Sequence, residues 1–176
     1  MLKAYRYKLE PNKSQRYALA RTLDVGRELY NLCLHQRKLH PISRYEQSAQ
    51  LTQLKAELPV YKKVYSQVLQ HVLGRVDQAF KNFLRSGFGF PRFKGAKRFD
   101  CFTYPQTGFC LGGGRLSLAK IGDVKIRLSR PLPRGAVVKT CTIKRSVNGW
   151  FATLTFVPLS INRCHLLPMI WPLAST

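Results

Sequence analysis

Residues 2–15, "LKAYRYKLEPNKSQ", decide the architecture. Over "LKAYRYKL" the side chains alternate, with Tyr5, Tyr7 and Leu9 on one face and Ala4, Arg6 and Lys8 on the other, the period of a half-buried strand. Pro11 and Asn12 end the alternation, and Asn12 with Gln15 forms a capping box that opens a helix. A strand that runs directly into a helix has no neighbour close in sequence. Its backbone must pair with strands made later, and whatever lies between becomes an insertion.

Those later strands are readable from residue 100 onward, where period two returns. "VKIRL" directs Val124, Ile126 and Leu128 inward and Lys125 and Arg127 outward. "VVKTCTIKR" and "WFATLTFV" flank Asn148-Gly149, a hairpin signal because both residues tolerate positive φ, and Gly112 to Gly114 makes another turn. Between the first strand and these lie three helical patterns. In the first, Leu19, Leu23, Gly26, Tyr30 and Cys33 recur at helical spacing, widened by Val25, Leu29 and Leu32. The second opens at a capping box over Ser43-Arg44-Tyr45-Glu46, buries Leu51, Leu54 and Leu58, and stops at Pro59. The third runs from Ser66 to about Arg85, with Leu69, Val72, Leu73, Val76, Phe80, Phe83 and Leu84 inward and Gln67, Gln70, Gly74, Gln78 and Lys81 on the opposite face. The expected fold is α+β: an antiparallel sheet or small barrel built on the first strand, with a three-helix unit inserted. The last stretch, "VPLSINRCHLLPMIWPLAST", has one basic residue, no acid and no sustained period, and reads as a tail foreign to the domain, as a shifted reading frame would leave it.

Composition narrows the partners. Among 176 residues, 30 Lys and Arg face 8 Asp and Glu, a net charge of +22. A surface so basic repels itself unless a polyanion neutralises it, so nucleic acid is the first partner to consider. No apolar run approaches the roughly 20 residues of a membrane span, and charges recur through residues 1–20 where a signal peptide would have its apolar core. The five cysteines are scattered without a C-x-x-C pair, which favours reduced thiols in a cytoplasmic protein over zinc or disulfides.

Residues for catalysis are missing. The acids Glu10, Asp24, Glu28, Glu46, Glu57, Asp77, Asp100 and Asp123 form no paired motif, and Asp24 and Glu28 suit surface ion pairs. His35 and His40 lack zincin spacing, and no nucleophile elbow is present. No catalytic residue, metal, cofactor or small-molecule substrate is expected. Binding residues are plentiful. In residues 86–98, beginning "SGFGFPRFKG", Phe88, Phe90 and Phe93 alternate with Arg92, Lys94, Lys97 and Arg98. The cations suit phosphates; the rings either stack on bases or plug the joint between helices and sheet.

The same stretch carries a resemblance. "GFPRFK" at 89–94, after "QAFKNFL" at 78–84, resembles the N-terminal half of the TnpB-type transposon proteins, RNA-guided DNA endonucleases related to type V CRISPR effectors. "KLEPNKSQ" at 8–15, "RELYN" at 27–31, "SQVLQ" at 66–70, "GRLSLAKIGDVKIRLSRPLP" at 114–133 and "NGWFATLTF" follow in the family's order. The resemblance covers residues 1 to about 157. It implies a wedge-type β-barrel over residues 1–10 and 88–157, a helix-turn-helix-like recognition domain inserted at 11–87, and the irregular tail at 158–176. It further implies that Tyr45, Ser66, Gln67, Gln70 and Thr103 read a short DNA motif, that Arg92, Lys94, Lys97 and Arg98 meet the nucleic-acid backbone, and that DNA and a guide-type RNA are the partners, in a prokaryotic cytoplasm. The family continues into a RuvC-like nuclease domain with metal-binding carboxylates and a zinc ribbon. Neither has residues here, so the expectation is a non-catalytic binding remnant. Without the resemblance, a free-standing basic RNA-binding module of ribosomal or chaperone type would also suit the charge.

Overall fold

The computed structural model describes residues 2–87, 89–133 and 136–157; Phe88, Cys164 and the expected tail at 158–176 lie outside them. In chain order the elements are β1 (Lys3–Glu10), α1 (Lys13–Leu39), α2 (Arg44–Glu57), α3 (Pro59–Lys62), α4 (Ser66–Ser86), β2 (Cys101–Tyr104), β3 (Phe109–Gly112), β4 (Arg115–Leu118), β5 (Gly122–Arg127), β6 (Val137–Ser146) and β7 (Gly149–Val157). The fold is α+β, with an antiparallel seven-stranded sheet.

The first strand finds its partners where the sequence placed them. β1 sits inside the sheet order β2-β6-β7-β1-β5-β4-β3, pairing with β7 from Lys3↔Phe156 to Leu9↔Trp150 and with β5 through Leu9↔Ile126. All four helices fall between β1 and β2 in the chain. Tyr7 and Leu9 are buried with Leu116, Val124, Ile126, Ile143, Leu154 and Phe156 on the sheet's inner face. Both capping boxes form: the Asn12 and Ser43 side chains accept from the backbone of Gln15 and Glu46, whose side chains reach back to the cap N–H groups.

Several expectations are corrected. The sheet does not close into a barrel, because no ladder among the described residues joins its end strands β2 and β3. The segment between them starts with Pro105, which has no N–H to give a ladder, and Gly108 is turned (φ +85) toward the helices. The Tyr104 hydroxyl crosses the gap instead, donating to the Ala119 carbonyl at 3.0 Å. Pro59 does not simply stop the second helix; it opens a further single turn, α3, at the first helical position, where its missing N–H costs nothing. The late hairpin turns on Val147-Asn148, so the left-handed conformation falls on Gly149 alone (φ +111). Leu32, Leu58, Leu84 and Leu128 are exposed rather than core. Leu58 and Leu128 lie just past the ends of α2 and β5, and Leu84 occupies the last turn of α4, where regular spacing continues but the packing partner does not. Among the described residues, no helix is long and apolar enough to cross a membrane.

Candidate nucleic-acid interface

The start of α4 is fixed by an aromatic side chain rather than by a capping hydroxyl. Its N-cap, Tyr65, makes no side-chain cap bond. Its ring stacks on Tyr104 with centroids 5.8 Å apart, and its hydroxyl lies 2.9 Å from Thr107 Oγ1. Gly108 packs so closely against that ring that an added Cβ would stand 2.3 Å from Tyr65 Cε1, and its φ of +85 already favours glycine. The β2–β3 loop is thereby drawn against the helices. It closes a polar cavity of about 360 Å³ whose walls are Arg44, Gln67, Gln70, His71, Pro105, Gln106 and Thr107. Apart from Arg44 and His71 this wall offers amides and a hydroxyl, groups that match base edges. Burial, followed by the Arg75 and Arg44 charges, pushes the His71 pKa down, which favours the neutral ring.

Of the expected motif readers, Gln67 and Gln70 share this cavity. Gln70 Nε2 donates to Ser48 Oγ at 2.9 Å, which orients the amide from α2. Tyr45 stands on the first turn of α2 beside Arg44, 85% exposed, but not in the wall. The Ser66 hydroxyl accepts from Lys55 Nζ. Thr103 lies on the face of β2 opposite the buried Phe102 and Tyr104, its hydroxyl 2.9 Å from that of Thr142. Arg44, His71, Gln106 and Thr107 escaped the sequence reading. The "YPQTG" turn signal directly after Thr103 marks the loop that supplies two of them.

The basic-aromatic segment touches both the helices and the sheet. Asn31 on α1 clamps Lys94 from both sides, its Nδ2 donating to the Lys94 carbonyl at 3.0 Å and its Oδ1 accepting the Lys94 N–H at 2.8 Å. Arg145 on β6 donates to the Ala96 carbonyl at 3.3 Å, tying the same segment to the sheet. Phe99 is buried beneath the Arg75 guanidinium, 4.6 Å from the ring centroid. Phe90 lies edge-on to Phe80 and Phe83 at 5.5 Å each yet stays 39% exposed, and Phe93 is 46% exposed. Arg92, Lys97 and Arg98 project into solvent, and Lys94 Nζ lies 5.7 Å from the Tyr30 ring centroid.

A largely buried polar network holds α1, α2 and α4 together. Arg37 pairs with Asp77 at 3.1 Å and donates to Gln47 Oε1 at 2.9 Å, while Gln47 Nε2 donates to the Cys33 carbonyl at 2.9 Å. Burial acts to raise the Asp77 pKa, but hydrogen bonds and charges from Lys81 and Arg37 outweigh it, leaving the carboxyl below its ordinary value. Burial pushes the Cys33 thiol up to about 11 and the Cys141 thiol up to about 12, which keeps both protonated and unreactive. Cys101 is half-buried and Cys110 exposed, and all four described cysteines are free.

Residues 1–50 match the helix-turn-helix domain HTH_OrfB_IS605. Over 163 residues the chain is 34% identical to a "Putative RNA-guided DNA endonuclease" of Streptomyces pristinaespiralis, a match covering 86% of this chain and 40% of that protein. It is 31% identical, again over 163 residues, to the "Putative RNA-guided DNA endonuclease InsQ" of Escherichia coli K12, covering 87% of this chain and 40% of the relative. The chain thus spans about two fifths of the length of the curated relatives it matches. Through this helix-turn-helix domain and these relatives, the chain is similar to the TnpB-like transposon proteins over part of their length.

Proposed function

We propose that this chain is the nucleic-acid-binding, N-terminal part of a TnpB-like protein, reading a short DNA motif at the polar cavity and gripping phosphates along the basic joint. The observation that carries the reading is the convergence of Gln67, Gln70, Arg44, Gln106 and Thr107 on one cavity beside the first turn of α4. Gln pairs bidentately with adenine in the major groove and Arg with guanine, while hydroxyls serve either base. Tyr45, Ser66 and Thr103 flank this cavity as secondary contacts, and Arg92, Lys94, Lys97 and Arg98 carry charge without sequence information. Helices 11–87 act as the recognition unit and residues 1–10 with 88–157 as its wedge-type support, with a guide-type RNA as the second ligand. In this reading the chain's part is binding.

The test is a panel of duplexes. Gln70→Ala is expected to cost about 1–3 kcal/mol on the preferred duplex and almost nothing on unrelated DNA. Arg92→Ala and Arg98→Ala are expected to weaken every duplex alike and to flatten the salt dependence by about one unit per lost contact. Equal losses on all sequences for Gln70→Ala, or none, would overturn the motif-reading assignment.

A further inference from the structure

A second cleft, on a different wall of the molecule, is built from charge. It has a volume of about 640 Å³ and opens between the first turns of α1, the α3 turn and the β4–β5 turn. Arg21, Lys62, Lys63 and Lys120 line it together with Tyr17, whose ring is 69% exposed. No carboxylate lines the cleft, and none of these four cations joins an ion pair among the described residues. The field extends to Lys55, whose pKa is lowered by partial burial and then by the charge of Lys120. Clustered like charges oppose folding, and such a concave surface concentrates anions.

The backbone supplies an independent observation. Lys120 has φ +70 and is the one non-glycine residue in the left-handed region among the described residues. Glycine is the ordinary occupant of that conformation, which is strained for any residue carrying a Cβ. The turn therefore explains the conformation but not the lysine. What the lysine adds is a fourth cation on the third wall of the cleft.

We infer that this cleft seats the sugar–phosphate backbone of a single-stranded nucleic-acid segment, with a base against Tyr17. The inference rests on the nucleic-acid reading above and adds a site to it, distinct from the polar cavity and from Arg92–Arg98. A single strand fits better than a duplex because an exposed ring serves unstacked bases, and a groove of cations beside an aromatic is the pattern of sequence-tolerant strand binding.

The probe is a fluorescein-labelled oligothymidylate, bound by the full chain across a salt series. Lys120→Gly is expected to weaken binding and flatten the slope of log affinity against log salt by about 0.7, the value of one single-strand phosphate contact. Its melting temperature should hold or rise, since glycine suits the left-handed position. The Arg21→Ala/Lys62→Ala/Lys120→Gly variant should flatten the slope by about two units, three contacts at about 0.7 each. Tyr17→Ala should weaken binding without changing the slope, and Lys139→Ala, an exposed lysine on β6, should change neither. Wild-type slopes in the Lys120→Gly and triple variants, an equal flattening in Lys139→Ala, or a lower melting temperature in Lys120→Gly would each overturn the inference. So would a wild-type chain that ignores oligothymidylate at low salt while inorganic pyrophosphate still binds. None of these outcomes touches the Gln70 duplex test, so the two readings fail separately.

Discussion

The polar cavity and the cationic cleft nearly meet in the chain, with Val64 in the wall of one and Gln67 in the wall of the other, yet they are built on opposite principles. The cavity is a product of scaffolding. Gln70 is held by Ser48, the loop carrying Gln106 and Thr107 is held by Tyr65, and α2 is held by the Arg37–Asp77–Gln47 network. The cleft needs little of this, because exposed lysines reach their targets without being positioned. Discrimination among bases demands atoms fixed within a few tenths of an ångström, whereas attraction to phosphate demands only charge in the right region. Damage to the scaffold should therefore remove sequence preference while leaving salt-dependent binding in place.

The largest expected effect follows from cutting the network. Asp77→Ala leaves Arg37, 7% exposed, as a buried cation without its counter-ion. The cost should be about 3–5 kcal/mol, seen in thermal unfolding as a fall in Tm of roughly 10 °C. At temperatures where the variant stays folded, preferred and unrelated duplexes should bind alike. Retained preference would show that the cavity does not depend on this scaffold.

Gly108→Ala comes next. The new methyl group meets the Tyr65 ring at a position with φ +85, so the loop must move. A loss of about 1–3 kcal/mol in stability is expected, with sequence preference reduced and the salt slope unchanged. A changed slope would mean that the two regions are coupled.

His71 offers a milder perturbation, by pH. Its folded pKa lies below the ordinary value, chiefly through burial, so the unfolded chain binds the proton more readily. The stability this contributes is present above the ordinary histidine pKa of about 6.5 and is lost as pH falls from there through the lowered folded value. Urea unfolding at a series of pH values should show this decline, and His71→Gln should flatten it. An identical decline in the variant would assign the effect to other groups. Smallest of all is Thr103→Val, which removes one hydroxyl from the Thr103–Thr142 pair and should cost less than about 1 kcal/mol on the preferred duplex.

What the sequence revealed and what it hid divide along the range of the interactions. The capping boxes at Asn12 and Ser43 were legible because cap and partner lie three residues apart, and the Gly113-Gly114 turn because each glycine carries its own backbone preference. The pairing of β1 followed from elimination, since no early strand was available to it. The burial of Gln47 gave no warning, because it depends on Cys33 and Arg37 arriving from another helix. The open sheet was hidden for the same reason: the pull of Tyr65 on Gly108 joins positions 43 residues apart, and no periodicity records it. Gln67 and Gln70 were singled out through motif resemblance, and that they share a cavity with Arg44, His71, Gln106 and Thr107 is visible only in space.

The central place of β1 also sets a timetable for the chain as it leaves the ribosome. Lys3 pairs across the ladder with Phe156, so β1 waits for β7, made about 150 residues later, before most of its hydrogen bonds can close. Helices α1 to α4 emerge during that interval and can already pack on one another through Leu69, Leu73 and their neighbours. Folding should accordingly run in two stages, a helical cluster first and a slow closure of distant strands after it, as high contact order requires. Until that closure the apolar side of β1, with Tyr5, Tyr7 and Leu9, stays open to water and to other nascent chains. The arrangement that makes β1 the keystone of the finished sheet makes it the segment most exposed to misassembly on the way there.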